Sequence, residues 1–416
     1  MDPEVIEKAK RVKSASYKAA LLTREDRVKI LNAMAEILDN NRDNIKKINQ
    51  KDLEEAKKNN LSEAMIDRLL LNDKRINEMI TGLHEVALMK DRLGDIIEMW
   101  KRPNGLLIGK MVVPLGVIAI IYESRPNVTV DAVGICVKSG NVVLLRGGSE
   151  AINSNIYLAK LISKAAEENG FPEGGIEIIE KTDRNSVDTI LKLRQYIDVL
   201  IPRGGAEFIK KVVENSKVPV IETGAGNCHT YIDKDADLDM ALELVYNGKV
   251  QRPSVCNATK KVLVHKEIAD IFLPKMKEKL EKAGVIFLVD EKSKNYFPQA
   301  ELMPEELWYE EFLDMRLGVK IVENIDEAID HINKYNSKHT EAIVTRNYLT
   351  ALKFINSIDA AAVNWNASTR FTDGGQYGIG AEIGISTQKI HARGPMSVNE
   401  LTTTKYVVFG TGQIRK

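Results

Sequence analysis

The chain has 416 residues, with lysine plus arginine matching aspartate plus glutamate at 59 each, 44% hydrophobic and 28% charged. The length predicts about two or three domains, and the composition predicts a soluble globular protein with a substantial core. Zero net charge argues against a nucleic-acid or anionic-membrane partner, while leaving room for a local basic pocket.

The first residues, MDPEVIEKAK, contain no apolar run for a secretory signal. Asp2-Pro3 places a capping residue before a proline at the first helical position. Thr23-Arg24-Glu25-Asp26 resembles a capping box, followed by Val28, Leu31, Met34 and Leu38 at helical spacing, so the first eighty residues read as helical. The longest apolar stretch, 111–121, is broken by Pro114 and Gly116 and is shorter than the roughly 20 residues of a membrane span.

From Val117 the texture changes. Short β-rich runs at 117–121, 142–145, 176–179, 199–201 and 218–221 alternate with helical segments. The clearest helix follows Glu150, with Ile152, Ile156 and Ala159 on one face, and it ends near Gly170 with Pro172 just beyond. Such alternation predicts βαβ units on a parallel sheet, and continuous apolar runs predict strands covered on both faces. After Lys260 the pattern resumes, with strands expected at 261–264, 318–322, 342–345 and 361–364 and a helix at 325–335. That is a second α/β domain. Residues 100–113 and 406–413 are β-like and stand apart from both.

Three glycine clusters invite a nucleotide reading. Gly204-Gly205 follows the strand at 199–201 and precedes a helical stretch, so a phosphate has access to free N–H groups there. A tight strand-to-helix turn explains the same pattern. Gly378-Ile379-Gly380 and Gly410-Thr411-Gly412 are weaker, since neither clearly joins strand to helix. The G-x-G-x-x-G and G-K-[ST] fingerprints are absent, so a dinucleotide site here is unconventional.

No two of the three cysteines form a C-x-x-C pair, which argues against a disulfide framework or a zinc knuckle and for reduced thiols in the cytoplasm, with no metal site. Cys136 lies among apolar helical residues and reads as core. Cys228 lies in a loop beside His229. Cys256, in Arg252-Pro253-Ser254-Val255-Cys256-Asn257, has an arginine and small polar groups nearby, a setting that favours the reactive thiolate. Spacing alone leaves Cys256 and Cys228 both open, each as nucleophile or inert thiol. Arg125, Arg370 and Arg393 sit in polar, glycine-containing segments and suit an anionic ligand, carboxylate or phosphate.

Several long stretches, taken in order, resemble the γ-glutamyl phosphate reductase branch of the aldehyde dehydrogenase superfamily over nearly the whole chain. They are Val113-Pro114-Leu115-Gly116-Val117, then Ile121 through Thr129, and Ser139 through Glu150. Ile221 through His229, Arg252 through Ala258, and Asn366 to Pro395 complete the series. The resemblance implies an aldehyde dehydrogenase-like α/β fold: two doubly wound α/β domains with a small β oligomerisation flap. It assigns 1–99 and 114–225 to NADPH binding, 226–395 to catalysis, and 100–113 with 396–416 to the flap. It implies Cys256 as nucleophile and Asn127, with the Cys256 N–H, as oxyanion hole. Arg146 stands where NAD-using relatives usually carry lysine. Arg146, Glu150, Gly204, Gly205 and Glu311 would border the cofactor. Glu222, 34 residues before the nucleophile, matches the general base of hydrolytic relatives, with its task here unassigned.

The implied reaction is the NADPH-dependent reduction of L-glutamyl 5-phosphate to L-glutamate 5-semialdehyde through a cysteine thioester, for proline synthesis. The implied setting is a homo-oligomer, with glutamate 5-kinase on a separate chain. Three alternatives stay open: a superfamily member oxidising a free aldehyde with NAD, a thiol hydrolase pairing Cys256 with a histidine such as His391, and a nucleotide-binding regulator without catalysis.

Overall fold

Asp2 accepts the Glu4 N–H at 2.9 Å and Pro3 opens the first helix, Pro3–Ala19. In this computed structural model, which describes residues 1–123 and 125–415, the expected capping box also closes. The Asp26 N–H donates to Thr23 Oγ1 at 3.1 Å, and the Thr23 N–H donates back to the Asp26 carboxylate at 2.9 Å. The helix Arg24–Asn40 then buries Ile30, Leu31, Met34 and Leu38 as one stripe. Arg42–Lys58, Glu63–Leu69 and Asp73–Leu88 follow as helices. No helix among the described residues is long and apolar enough to cross a membrane.

The chain folds as two compact units, one of residues 1–222, 378–384 and 396–416, the other of 223–377 and 385–395. In the first, β1 (Ile96–Lys101) and β2 (Leu107–Pro114) form a hairpin whose turn carries Gly105 at φ +90°. The sequence showed one β-like run at 100–113, where the structure has two strands. Then β3 (Val117–Tyr122), β4 (Val142–Gly147), β5 (Ile176–Ile178) and β6 (Val199–Arg203) make a parallel sheet in the order β5-β4-β3-β6. The chain steps outward from β3 to β5, then returns to the other side of β3. The β3/β6 pair is therefore the switch point beyond whose C-terminal ends ligands bind in such sheets. The helices Asn127–Lys138 and Ile152–Glu168 are the crossovers. The strand expected at 218–221 is reduced to one bridge, Leu200 to Val220, because Pro219 has no N–H for the ladder and contributes only its carbonyl, 2.8 Å from the Leu200 nitrogen.

The second unit is built on a seven-stranded parallel sheet. Its strands are β7 (Cys228–Ile232), β8 (Thr259–His265), β9 (Ile286–Val289), β10 (Glu301–Leu302), β11 (Arg316–Val322), β12 (Thr340–Val344) and β13 (Ala362–Trp365), in the order β10-β9-β11-β8-β7-β12-β13. Val262 and Val264 pack on one face with Phe272, Leu273 and Met276 of the helix Lys266–Glu281. Leu263 and Tyr231 pack on the other with Ile332 and Phe354. Cys228, expected in a loop, opens β7. Its neighbours His229 and Thr230 break the apolar run that would mark a strand, and the fold satisfies them internally. The His229 N–H donates to Glu341 Oε2 at 2.7 Å, and Thr230 Oγ1 lies 3.2 Å from Thr259 Oγ1.

Two short strands, β14 (Gly384–Ser386) and β15 (Gly394–Met396), pair with each other, and β16 (Thr402–Phe409) runs antiparallel to β2 from Thr402 opposite Pro114 to Phe409 opposite Leu107. The sheet β1-β2-β16 exposes Met99, Trp100, Tyr406, Val408 and Phe409, with Trp100 edge-on to Tyr406.

Candidate active site

Six of the residues singled out in the first unit lie just beyond, or at, the C-terminal ends of β3, β4 and β6. Arg125 and Asn127 follow β3; Arg146 and Glu150 lie at the end of β4; Gly204 and Gly205 follow β6. Parallel register brings them level, with Tyr122 opposite both Gly147 and Arg203. The Gly205 N–H at the start of the helix Ala206–Asn215 donates to Glu123 Oε2 at 3.0 Å, and a Cβ on Gly204 would lie 2.5 Å from the same oxygen. Arg146 Nη2 donates to the Thr182 carbonyl at 2.6 Å. Burial depresses the Arg146 pKa, and Glu150, Asp183 and Glu123 oppose that. Arg146 Nε and Glu150 Oε2 are buried without hydrogen-bond partners, so polar valence remains at this edge for a ligand. Asn127, the first residue of its helix, donates from Nδ2 to Asp131 Oδ2 at 2.9 Å. Burial raises the Asp131 carboxyl to about 6, with Asn127 and Arg203 pulling it back. Glu222 is half-buried at the last residue of the unit's first segment.

The second unit separates the three cysteines' settings. Cys228 is fully buried and burial pushes its thiol well above the ordinary range; Cys136, in the first unit, is buried with the same shift; Cys256 is partly open. Cys256 lies in the loop before β8, and that loop is anchored through its carbonyls. Lys260 Nζ donates to Val255 O at 2.7 Å and Cys256 O at 2.8 Å, and Cys228 Sγ donates to Cys256 O at 3.2 Å. A Cβ at Gly226 would come 1.7 Å from Cys256 O, so only glycine allows this approach. The Gly226 N–H donates to Glu311 Oε1 at 2.6 Å, which puts Glu311 on the same loop cluster as the thiol.

Arg370, on the turn Thr369–Phe371, is tied to that cluster. Asn257 Nδ2 donates to the Thr372 carbonyl at 3.0 Å and to the Arg370 carbonyl at 3.3 Å. Burial and then Arg252 depress the Arg370 guanidinium, while Cys256 and Asp373 counter them. Two guanidiniums near enough to repel each other suit an anion between them. Arg393 is differently placed: its Nη2 is 2.6 Å from Asp359, just before β13, three strands along the sheet from β8. Arg125 is exposed in the turn after β3, and its carbonyl accepts the Val128 N–H at 3.1 Å.

A profile of the aldehyde dehydrogenase family matches residues 2–293. The γ-glutamyl phosphate reductase of Caldanaerobacter subterraneus subsp. tengcongensis is 57% identical over 99% of this chain and 100% of its own. That of Petrotoga mobilis is 57% identical over 99% of both. The crystal structure of the γ-glutamyl phosphate reductase from Thermotoga maritima superposes with a TM-score of 0.97 at 48% identity, covering 99% of this chain and 100% of that one. The chain belongs to the γ-glutamyl phosphate reductases, a branch of the aldehyde dehydrogenase family.

Membership makes the chain an enzyme, an oxidoreductase, with the family's α/β fold on parallel sheets. Four residues beside the candidate site residues of the two units escaped sequence reasoning. Lys260 and Lys261 follow Thr259 at the start of β8, and lysine within a run buried on both faces was the available signal. Asp131 stands four residues after Asn127 on one helix, a spacing that predicts contact. Glu123 lies beside Arg125, but its reach to Gly205 depends on strand register, which the sequence does not display.

Proposed function

We propose that this protein reduces L-glutamyl 5-phosphate to L-glutamate 5-semialdehyde and phosphate, with NADPH as reductant and a thioester on Cys256, in proline biosynthesis. The observation that carries this reading is the setting of Cys256. It is the partly open cysteine of the three, on a loop anchored by a buried lysine, in a chain 57% identical along its length to a γ-glutamyl phosphate reductase.

The chemistry follows from the leaving group. An acyl phosphate needs no strong acid, so the Cys256 thiolate forms a C–S bond to the carbonyl carbon and the carbonyl electron pair moves to oxygen. Asn127 Nδ2 and the Cys256 N–H hold that oxyanion, and one such donor is worth about 3 kcal/mol in other enzymes. As the pair returns, the C–O bond to phosphate breaks and the thioester remains, which divides one hard step into two easier ones. NADPH, when bound, supplies hydride at the thioester carbon. The residues that would hold it are Arg146, Glu150, the Gly204-Gly205 turn and Glu311, and the unpartnered Arg146 Nε and Glu150 Oε2 fit a polar ligand edge. Collapse of the reduced carbon returns an electron pair to sulfur and frees the aldehyde, whose own amine can then close a pyrroline ring.

Arg125, Arg370 and Arg393 divide the α-carboxylate and the phosphate. The electrostatic neighbourhood of Arg370 supports it most directly, and Arg393 can serve only by exchanging Asp359. Glu222 is a site residue without a general-base task, because activating water against the thioester would return glutamate. In this reading the enzyme is a cytoplasmic homo-oligomer, fed by a separate glutamate 5-kinase.

The test is to withhold NADPH, add glutamyl phosphate and look by mass spectrometry for a glutamyl adduct on Cys256, absent in Cys256→Ser. A Cys256→Ser enzyme with wild-type turnover ends the proposal. In the reverse direction, oxidation of the semialdehyde with NADP must require phosphate; independence from phosphate favours a free-aldehyde dehydrogenase. Hydrolytic turnover without any nicotinamide favours a thiol hydrolase.

A further inference from the structure

Lys260 is wholly buried, yet among the described residues no carboxylate forms an ion pair with it. Its hydrogen bonds go to two successive main-chain carbonyls, Val255 and Cys256. Burying an ammonium this way is costly, and an apolar side chain of similar volume usually serves stability as well or better. The fold gives no reason for the charge.

The reaction gives one. No peptide bond among the described residues is cis, so each C=O points opposite to the N–H of the following residue. Lys260 holds Val255 O, and so helps aim the Cys256 N–H in the opposite direction within that peptide plane. A cation on the carbonyl oxygen also polarises the peptide and makes its N–H a stronger donor. The same ammonium holds Cys256 O, which Gly226 meets and to which Cys228 donates. One positive charge thus bonds both carbonyls that set the main chain on either side of the Cys256 side chain, alongside the Ala258 N–H on Val255 O at 3.2 Å and the Cys228 thiol on Cys256 O.

We propose that Lys260 is a positioning residue of this enzyme: its ammonium aims and polarises the Cys256 N–H that receives the oxyanion and favours the Cys256 thiolate. This rests on the reading of Cys256 as the nucleophile. The other charged and titratable groups acting on Lys260 are Cys228 on β7, Glu311, Arg370, and Lys249 and Lys261, with Glu341 on β12. Burial lowers the lysine's pKa, and the nearby Cys228, Glu311 and Cys256 restore part of it.

The experiment uses the full-length protein without substrate or cofactor. Carbamidomethylation of Cys256 by iodoacetamide is followed by mass spectrometry across pH in wild type, Lys260→Met and Lys260→Gln, with thermal unfolding measured in parallel. Lys260→Met is expected to unfold at the same or a higher temperature. Its alkylation midpoint is expected about one pH unit higher, with roughly tenfold slower labelling at neutral pH. Reductive turnover should fall by about a hundredfold or more, in kcat rather than KM, as for a lost oxyanion donor. Lys260→Gln, which can still donate to one carbonyl, should lose the thiolate shift and keep part of kcat. An unmoved midpoint in a folded variant overturns the proposal. So does failure of both variants to fold, since the charge would then serve the fold itself. Because labelling needs no turnover, this result stands apart from the fate of Cys256→Ser.

Discussion

Asp131 holds the Asn127 amide at 2.9 Å while carrying a carboxyl raised to about 6 by burial. Its ordinary value is 3.8, so the folded chain keeps this proton longer than the unfolded chain does. The group's contribution to stability therefore falls as pH rises from 3.8 through about 6. Asp131→Asn removes that loss and keeps an acceptor for Asn127. It should be more stable than wild type at pH 7 by on the order of 1–2 kcal/mol and no more stable near pH 3. Urea unfolding at the two pH values checks this, and an equal difference at both excludes Asp131 as the source. Among the arginines, Arg370→Ala should raise KM for glutamyl phosphate by about tenfold or more, as loss of a charge-assisted contact does. Steady-state kinetics decides it, and an unchanged KM removes Arg370 from the substrate contacts. At this scale the sequence was informative about reactive types and weak about partners. Spacing and local composition gave Cys256 only a modest edge over Cys228, and it was the resemblance that named Cys256; burial separates their settings, since a thiol's reactivity depends on exposure that neighbouring residues along the chain do not fix.

The loop before β8 and the start of β7 work as one element because Gly226 meets the Cys256 carbonyl. Gly226→Ala should cost about 3 kcal/mol and slow Cys256 labelling, since the intruding methyl meets rigid backbone. Unfolding and labelling measured together test it; a variant with wild-type stability and reactivity would mean that this approach is looser than 1.7 Å implies. The helical start was legible because capping residues and periodic apolar positions are local signals: Thr23 with Asp26, then Leu31, Met34 and Leu38. The strands β3 and β4 were legible as continuous apolar runs. β7 was not, because Cys228-His229-Thr230 is polar by sequence and acquires its partners, Glu341 and Thr259, from strands remote in the chain. The hairpin of β1 and β2 was merged into one run for a similar reason: β1 is exposed along its whole length and lacks an alternating pattern.

For the molecule as a whole, the sheet β1-β2-β16 presents Tyr406 at 67% and Val408 at 57% exposure, beside Met99 and Trp100. If the protein is the homo-oligomer proposed above, apolar groups clustered this way are where its subunits would meet. Replacing Tyr406 and Val408 together by aspartate should shift the protein to a smaller species in sedimentation velocity, and an unchanged sedimentation coefficient would place the contact elsewhere. The same sheet has a second implication, through the path of the chain. Its middle strand, Leu107–Pro114, is made before the second unit's main segment, and its last strand, Thr402–Phe409, is made after it. The second unit's main segment, 223–377, is uninterrupted. The first unit is thus begun before the second and completed after it, and until then the nascent polypeptide leaves one edge of β2 without its hydrogen-bonding partner.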